Sequence, residues 1–153
     1  MFDTPALHAL LIGAGQYESP GLKPAPLAVN DVLEFREFLR SRAGLHDDCC
    51  RLLTSPLAYG AVPSRKADWL DGLDALTRAP LRETDSVVIY YSGQALASGD
   101  ETYFLPMDAR PSSPQLLGET AVGLKTLLAY LRQVHAGQQL VILDAWRGEL
   151  AAA

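Results

Sequence analysis

The run Ser86–Tyr91 (SVVIYY) constrains the fold more than any other segment. It is β-branched and aromatic, which suits an extended, pleated backbone. It lacks the polar alternation of a strand with one face in water. Both faces therefore need cover, and the run is expected to be a central strand with a layer packed on each side.

The rest of the chain offers those layers. Leu7–Gly13 (LHALLIG) is a short apolar run closed by glycine and predicts a second buried strand. Gly15 to Pro26 is rich in proline and glycine and reads as a loop. From Val29 to Ala43, Val32, Phe35 and Leu39 fall at helical spacing. Asn30 or Asp31 would cap or charge the start, and Gly44 would stop the helix. Cys50–Thr54 predicts a short strand. Pro63 is expected to open a helix whose apolar face is Trp69, Leu70, Leu73 and Leu76, ending at Pro80.

Ser92 and Gly93 are expected to end the central strand, and Gly99-Asp100 to lead into a short arm at Thr102–Leu105. Arg110 to Gly118 reads as loop. A helix carrying Leu124, Leu127, Leu128, Leu131 and Val134 ends at His135–Gly137, and Gln139–Leu143 (QLVIL) is a last apolar strand followed by Asp144. Strands alternating with helices of about 12 to 16 residues predict an α/β domain: three layers, a mostly parallel sheet, and helices on both faces. The domain is expected to span 1–150, leaving a tail at Ala151–Ala153.

Composition removes several function classes. The chain has 153 residues, 48% of them hydrophobic, enough for a core and too many for disorder. Its net charge is −5 with no cluster of Lys and Arg, so nucleic-acid binding has no electrostatic support. No window approaches the roughly 18 apolar residues of a membrane span, and no signal-peptide pattern opens the chain. A cytoplasmic protein is expected. The two cysteines, Cys49 and Cys50, are adjacent, which strains a mutual disulfide, and they match no metal-ligand spacing. They read as small buried residues, and no metal or cofactor is expected.

Sites in open α/β sheets form beyond the carboxyl ends of the strands. Four such ends are expected: Gly13-Ala14-Gly15, Ser92-Gly93-Gln94-Ala95, Pro106-Met107-Asp108 and Asp144-Ala145-Trp146-Arg147-Gly148. The first invites a dinucleotide fingerprint, but Glu18 stands where a third glycine is needed and a proline-rich loop replaces the helix. No Gly-Lys-Ser/Thr occurs, so there is no Walker A loop.

The second and fourth ends belong together. Tyr90-Tyr91-Ser92-Gly93-Gln94-Ala95 and Asp144-Ala145-Trp146-Arg147-Gly148 place Gln94 and Trp146 52 residues apart. Caspase signatures carry a nucleophilic Cys in such a segment and a His about 50 residues upstream. The chain resembles the metacaspases and bacterial caspase-like proteins of the caspase-type (C14) peptidases, over nearly its whole length. Ala9–Gly13 resembles the family's first strand, Ala28-Val29-Asn30-Asp31 its Asn-Asp helix start, and Tyr103-Phe104-Leu105-Pro106-Met107-Asp108 its Tyr-Leu-Leu-Pro-x-Asp segment. The likeness implies a caspase-like sandwich confined to the large-subunit (p20-like) part, without the small-subunit strands.

It also implies lost catalysis. A cysteine protease needs a thiolate and a His to activate it. Gln94, at the His position, cannot shuttle a proton. Trp146, at the Cys position, has a donor N–H and no nucleophilic atom. Its indole is expected to fill the cleft. The oxyanion-hole amides implied by the family fall at Ala95 and Trp146. Its acidic pocket for a basic side chain falls at Asp31 and Asp144, where a carboxylate pair would favour Arg or Lys; a capping role for Asp31 and a strand-end role for Asp144 are the plainer alternative. Neither a His46–Cys49/Cys50 pair nor Ser92, which lacks a Gly-x-Ser-x-Gly elbow, offers a convincing rescue.

The expected function is a pseudoenzyme: a non-cleaving interaction or regulatory module that binds basic peptides. It would associate with another chain, or with itself, through the apolar edge left at Gln139–Leu143. The alternatives are an active hydrolase using an unrecognised residue, or a small-ligand-binding α/β domain.

Overall fold

The computed structural model describes residues 4–149. They form β1 (Leu7–Ala14), α1 (Ala28–Ala43), β2 (Cys50–Ser55), β3 (Val62–Pro63), α2 (Lys66–Arg78), β4 (Ser86–Ser98), β5 (Glu101–Phe104), α3 (Pro114–Thr120), β6 (Val122–Gly123), α4 (Leu124–Leu131) and β7 (Gln138–Glu149). A 3-10 turn at Asp47–Cys49 precedes β2.

The seven strands make one sheet in the order β3-β2-β1-β4-β5-β6, with β7 also paired to β4. β1 lies parallel to β2 and β4, and β7 parallel to β4. β7 follows β4 from Ser86↔Gln138 to Ala97↔Glu149, so it occupies one whole edge of β4. The other edge is shared: β1 takes Ser86–Ser92, and β5 pairs antiparallel with Ala95–Ser98. The sheet is therefore mixed, not mostly parallel as expected. The cause is β4, which continues past the end of β1 and turns back at Gly99, a residue with φ of 62°.

The chain steps from β1 to β2 in one direction and to β4 and β7 in the other. Right-handed crossovers then put the connecting helices on opposite faces. α1 covers one face, where Val32 and Leu39 pack with Ala9, Leu11, Leu52, Val88 and Tyr90. α2 and α4 cover the other, where Trp69, Leu73, Leu127 and Leu131 pack with Leu10, Ile12, Leu53, Val87, Ile89 and Tyr91. Ser86–Tyr91 is thus buried on both faces, as its composition demands.

Several boundaries differ from expectation. β4 does not end at Ser92-Gly93, and β7 runs through Asp144 and Trp146 to Glu149. α2 starts at Lys66, not Pro63; Pro63 lies in the outer strand β3, where a missing N–H costs no ladder bond on the open side. The Lys66 N–H donates to Asp108 Oδ1 at 2.9 Å, a cap supplied from 42 residues away. The stretch read as loop contains α3, begun by Ser113, whose hydroxyl accepts from the Leu116 N–H at 3.1 Å, and by Pro114 in the first turn. α1 is capped by neither Asn30 nor Asp31: its N-cap is Leu27, without a side-chain bond, and Asp31 lies in the first turn. α4 stops at Leu131 and leaves Leu128 exposed. Among the described residues no helix is long and apolar enough to cross a membrane.

Candidate functional site

The sheet reverses direction of growth between β1 and β4. Ligands of open α/β sheets bind at such a switch point; here β1 ends at Ala14 while β4 continues to Ser98. Gly13-Ala14-Gly15 comes from β1 and its following loop, and Ser92-Gly93-Gln94 from β4. The two glycines of the first segment are needed for packing. A Cβ on Gly13 would meet the Ala28 carbonyl oxygen at 2.9 Å, and one on Gly15 the Ser55 carbonyl oxygen at 2.9 Å. The Gly15 N–H already donates to that Ser55 oxygen at 2.7 Å, so it is not offered to a phosphate.

Gln94 and Trp146 are brought together. They are register partners on adjacent parallel strands, which places their backbones about 4.8 Å apart. Strand alternation sends Tyr90, Ser92 and Gln94 to the α1 face, with Ile142, Asp144 and Trp146 beside them. Gln94 is half-buried, and its side-chain amide donates to the Lys23 carbonyl, tying the β1–α1 loop to β4. Trp146 is 74% exposed. Its indole stands in solvent and does not fill a cleft, contrary to the expectation from its size. Ala95 and Trp146 are both ladder members, Ala95 opposite Phe104 and Arg147, and Trp146 opposite Gln94.

A tyrosine network fixes the backbone beneath Gln94. Tyr91 is fully buried, and its hydroxyl lies 2.6 Å from the Gln94 carbonyl and 3.2 Å from that of Leu105. The Tyr17 hydroxyl accepts from the Gln94 N–H at 2.8 Å and lies 3.4 Å from the Tyr91 hydroxyl. Burial raises the pKa of Tyr17, and burial with the neighbouring Tyr17 raises that of Tyr91 well above the ordinary value. Both stay protonated and act as hydrogen-bonding struts. The sequence patterns missed Tyr17 because it sits in a loop; its proximity to Gln94 is tertiary.

Asp31 and Asp144 converge on one small polar patch. Ser92 is buried, and its hydroxyl donates to Asp31 Oδ2 at 3.4 Å. Ser92 is also the register partner of Asp144, and the Tyr90 hydroxyl donates to Asp144 Oδ2 at 3.4 Å. Burial, then the charges of Asp144 and Asp31, raise the Tyr90 pKa. Two carboxylates therefore act on one hydroxyl, and no Lys or Arg pairs with either among the salt bridges of the described residues.

Cys49 and Cys50 lie at the amino end of β2, the opposite end of the sheet, half-buried against the α1-side core. Burial raises the Cys50 pKa, the reverse of what a nucleophile needs. The described residues contain no cluster of three or more His, Cys, Asp or Glu able to hold a metal. In chemical terms the Asp31–Asp144 patch can accept hydrogen bonds and attract a cation. Gln94 and Trp146 provide no proton shuttle and no nucleophile. In comparisons with known proteins, no family model and no curated protein matches the chain.

Proposed function

We propose that this domain is a non-cleaving relative of the caspase-type peptidases that recognises a basic side chain at the Asp31–Asp144 patch. The observation that carries this is the meeting of Asp31, Ser92, Tyr90 and Asp144 midway along β4, level with the end of β1 and beside the paired Gln94 and Trp146. Such a patch favours an Arg or Lys through charge-assisted hydrogen bonds. The exposed indole of Trp146, two residues along the same face, adds a ring over which a guanidinium can stack. A proton shuttle and a nucleophile are what the same place lacks, so binding without cleavage is the chemistry that remains. The domain would act as an interaction module, with the outer edge of β7 as its docking edge for another protein chain.

Reporter peptides containing Arg or Lys test the proposal. The protein is expected to bind them, to leave them intact, and to lose affinity when Asp144 becomes Asn. Turnover of the reporters, persisting in the Asp144→Asn variant, would instead favour an active hydrolase.

A further inference from the structure

Resting on that reading of the domain as an interaction module, we infer that two copies of the chain pair through β7, antiparallel, about a twofold axis at Val141. β7 is 12 residues long and, among the described residues, pairs with β4 alone. Open edges are normally blunted by Lys, Pro or a bulge. Gln138–Leu143 carries no charge and no proline, and its register with β4 is unbroken. Leu140 is 53% exposed on the α1 face.

The apolar surface continues inward from there. Ile142 is the register partner of Tyr90, Phe35 lies 4.8 Å from the Tyr90 ring, and Phe38, 55% exposed, stacks on Phe35 at 6.2 Å. This edge and its adjoining face form one continuous, partly exposed apolar surface.

The side chains select the register. An antiparallel twofold pair keeps each face on its own side, so a residue can oppose only one whose side chain points the same way. Centring on Val141 sets Leu140 against Ile142 and Gln138 against Asp144, an amide donor against a carboxylate. Centring on Ile142 sets Leu140 against Asp144, centring on Leu143 sets Ile142 against Asp144, and centring on Asp144 opposes the two carboxylates. In the Val141 register only Gln139 faces an unlike residue, Leu143, and the Gln139 amide is already engaged by the Val134 carbonyl at 3.1 Å. The occupant that matches this edge is therefore the edge itself.

Sedimentation of the full chain from micromolar to millimolar concentration tests the pairing. A reversible monomer–dimer equilibrium is expected, weak because a single strand edge buries little surface. Gln138→Glu faces Asp144 of the second copy and should raise the dissociation constant about fivefold or more, Gln138→Lys should lower it by a similar factor, and Gln138→Glu with Asp144→Lys should restore pairing. Gln138 and Leu140 are exposed, so these variants fold; Leu140→Lys should abolish the dimer. A monomer at every concentration, or a dimer indifferent to both Gln138 changes, overturns the inference. Neither outcome touches peptide binding by the wild-type chain, which calorimetry reads separately.

Discussion

Gly93→Ala is expected to destabilise the fold, because the space its Cβ needs is taken. That atom would lie 2.5 Å from the Tyr91 hydroxyl, 2.8 Å from Tyr91 Cζ and 2.9 Å from the Tyr17 hydroxyl. Tyr91 cannot swing aside: its ring is wedged between Trp69, at 5.0 Å, and Phe104, at 5.5 Å. Overpacking costs about 1–3 kcal/mol. Displacing the Tyr91 hydroxyl from the Gln94 and Leu105 carbonyls adds about 1 kcal/mol for hydrogen bonds lost in a buried place. A total of about 2–4 kcal/mol lowers Tm by about 4–16 °C for a chain of this size. Tyr91→Phe removes the hydroxyl that the new methyl strikes, so the two changes should be coupled. The double variant is expected to lose about 1 kcal/mol less than the sum of the singles. Thermal melts of the four proteins measure this. Additive losses, or a Gly93→Ala melt within about 1 °C of the wild type, would refute the account of why glycine follows Ser92.

Asp85 gives a pH prediction. Its carboxylate accepts from Arg82 and from the backbone amides of Ala6 and Arg82, which together hold its pKa well below the usual range. A depressed carboxylate stabilises the fold above its unfolded pKa of about 3.9, and that stability is lost as pH falls toward the folded value. The Asp85→Asn variant should be less stable at neutral pH and show a shallower loss below pH about 4 in acid unfolding. Gln94→Ala should free the Lys23 carbonyl and speed amide exchange through residues 15–27 with little change in Tm. Gly137→Ala should fail to fold stably, because its Cβ would collide with the Glu83 carbonyl oxygen, an atom of the backbone. Expression trials and melts check it.

The central strand, both helical layers and the placing of Gln94 beside Trp146 were legible in the sequence. Burial leaves a mark on every residue of a run such as SVVIYY, and apolar spacing marks α1 and α2. Strand ends were not legible. Gly93 looked like a stop signal, but glycine is needed there by Tyr91, 2 residues before it in sequence and packed against it only after folding. The start of α2 was hidden because its cap, Asp108, comes from beyond β5. Tyr17 was silent for the same reason. The exposure of Trp146 could not be read from its type, since large aromatic residues are usually covered. Asp31 and Asp144 were selected by resemblance; their meeting around Ser92 and Tyr90 depends on how α1 lies against β4.

The most direct test of the central claim is calorimetric titration of Arg-containing peptides into the wild-type protein and into Asp144→Asn, with the peptides examined by mass spectrometry afterwards. The account predicts heat of binding that weakens in the variant and with added salt, and peptides recovered whole. No heat with the wild type, or the same heat with both proteins, would contradict it.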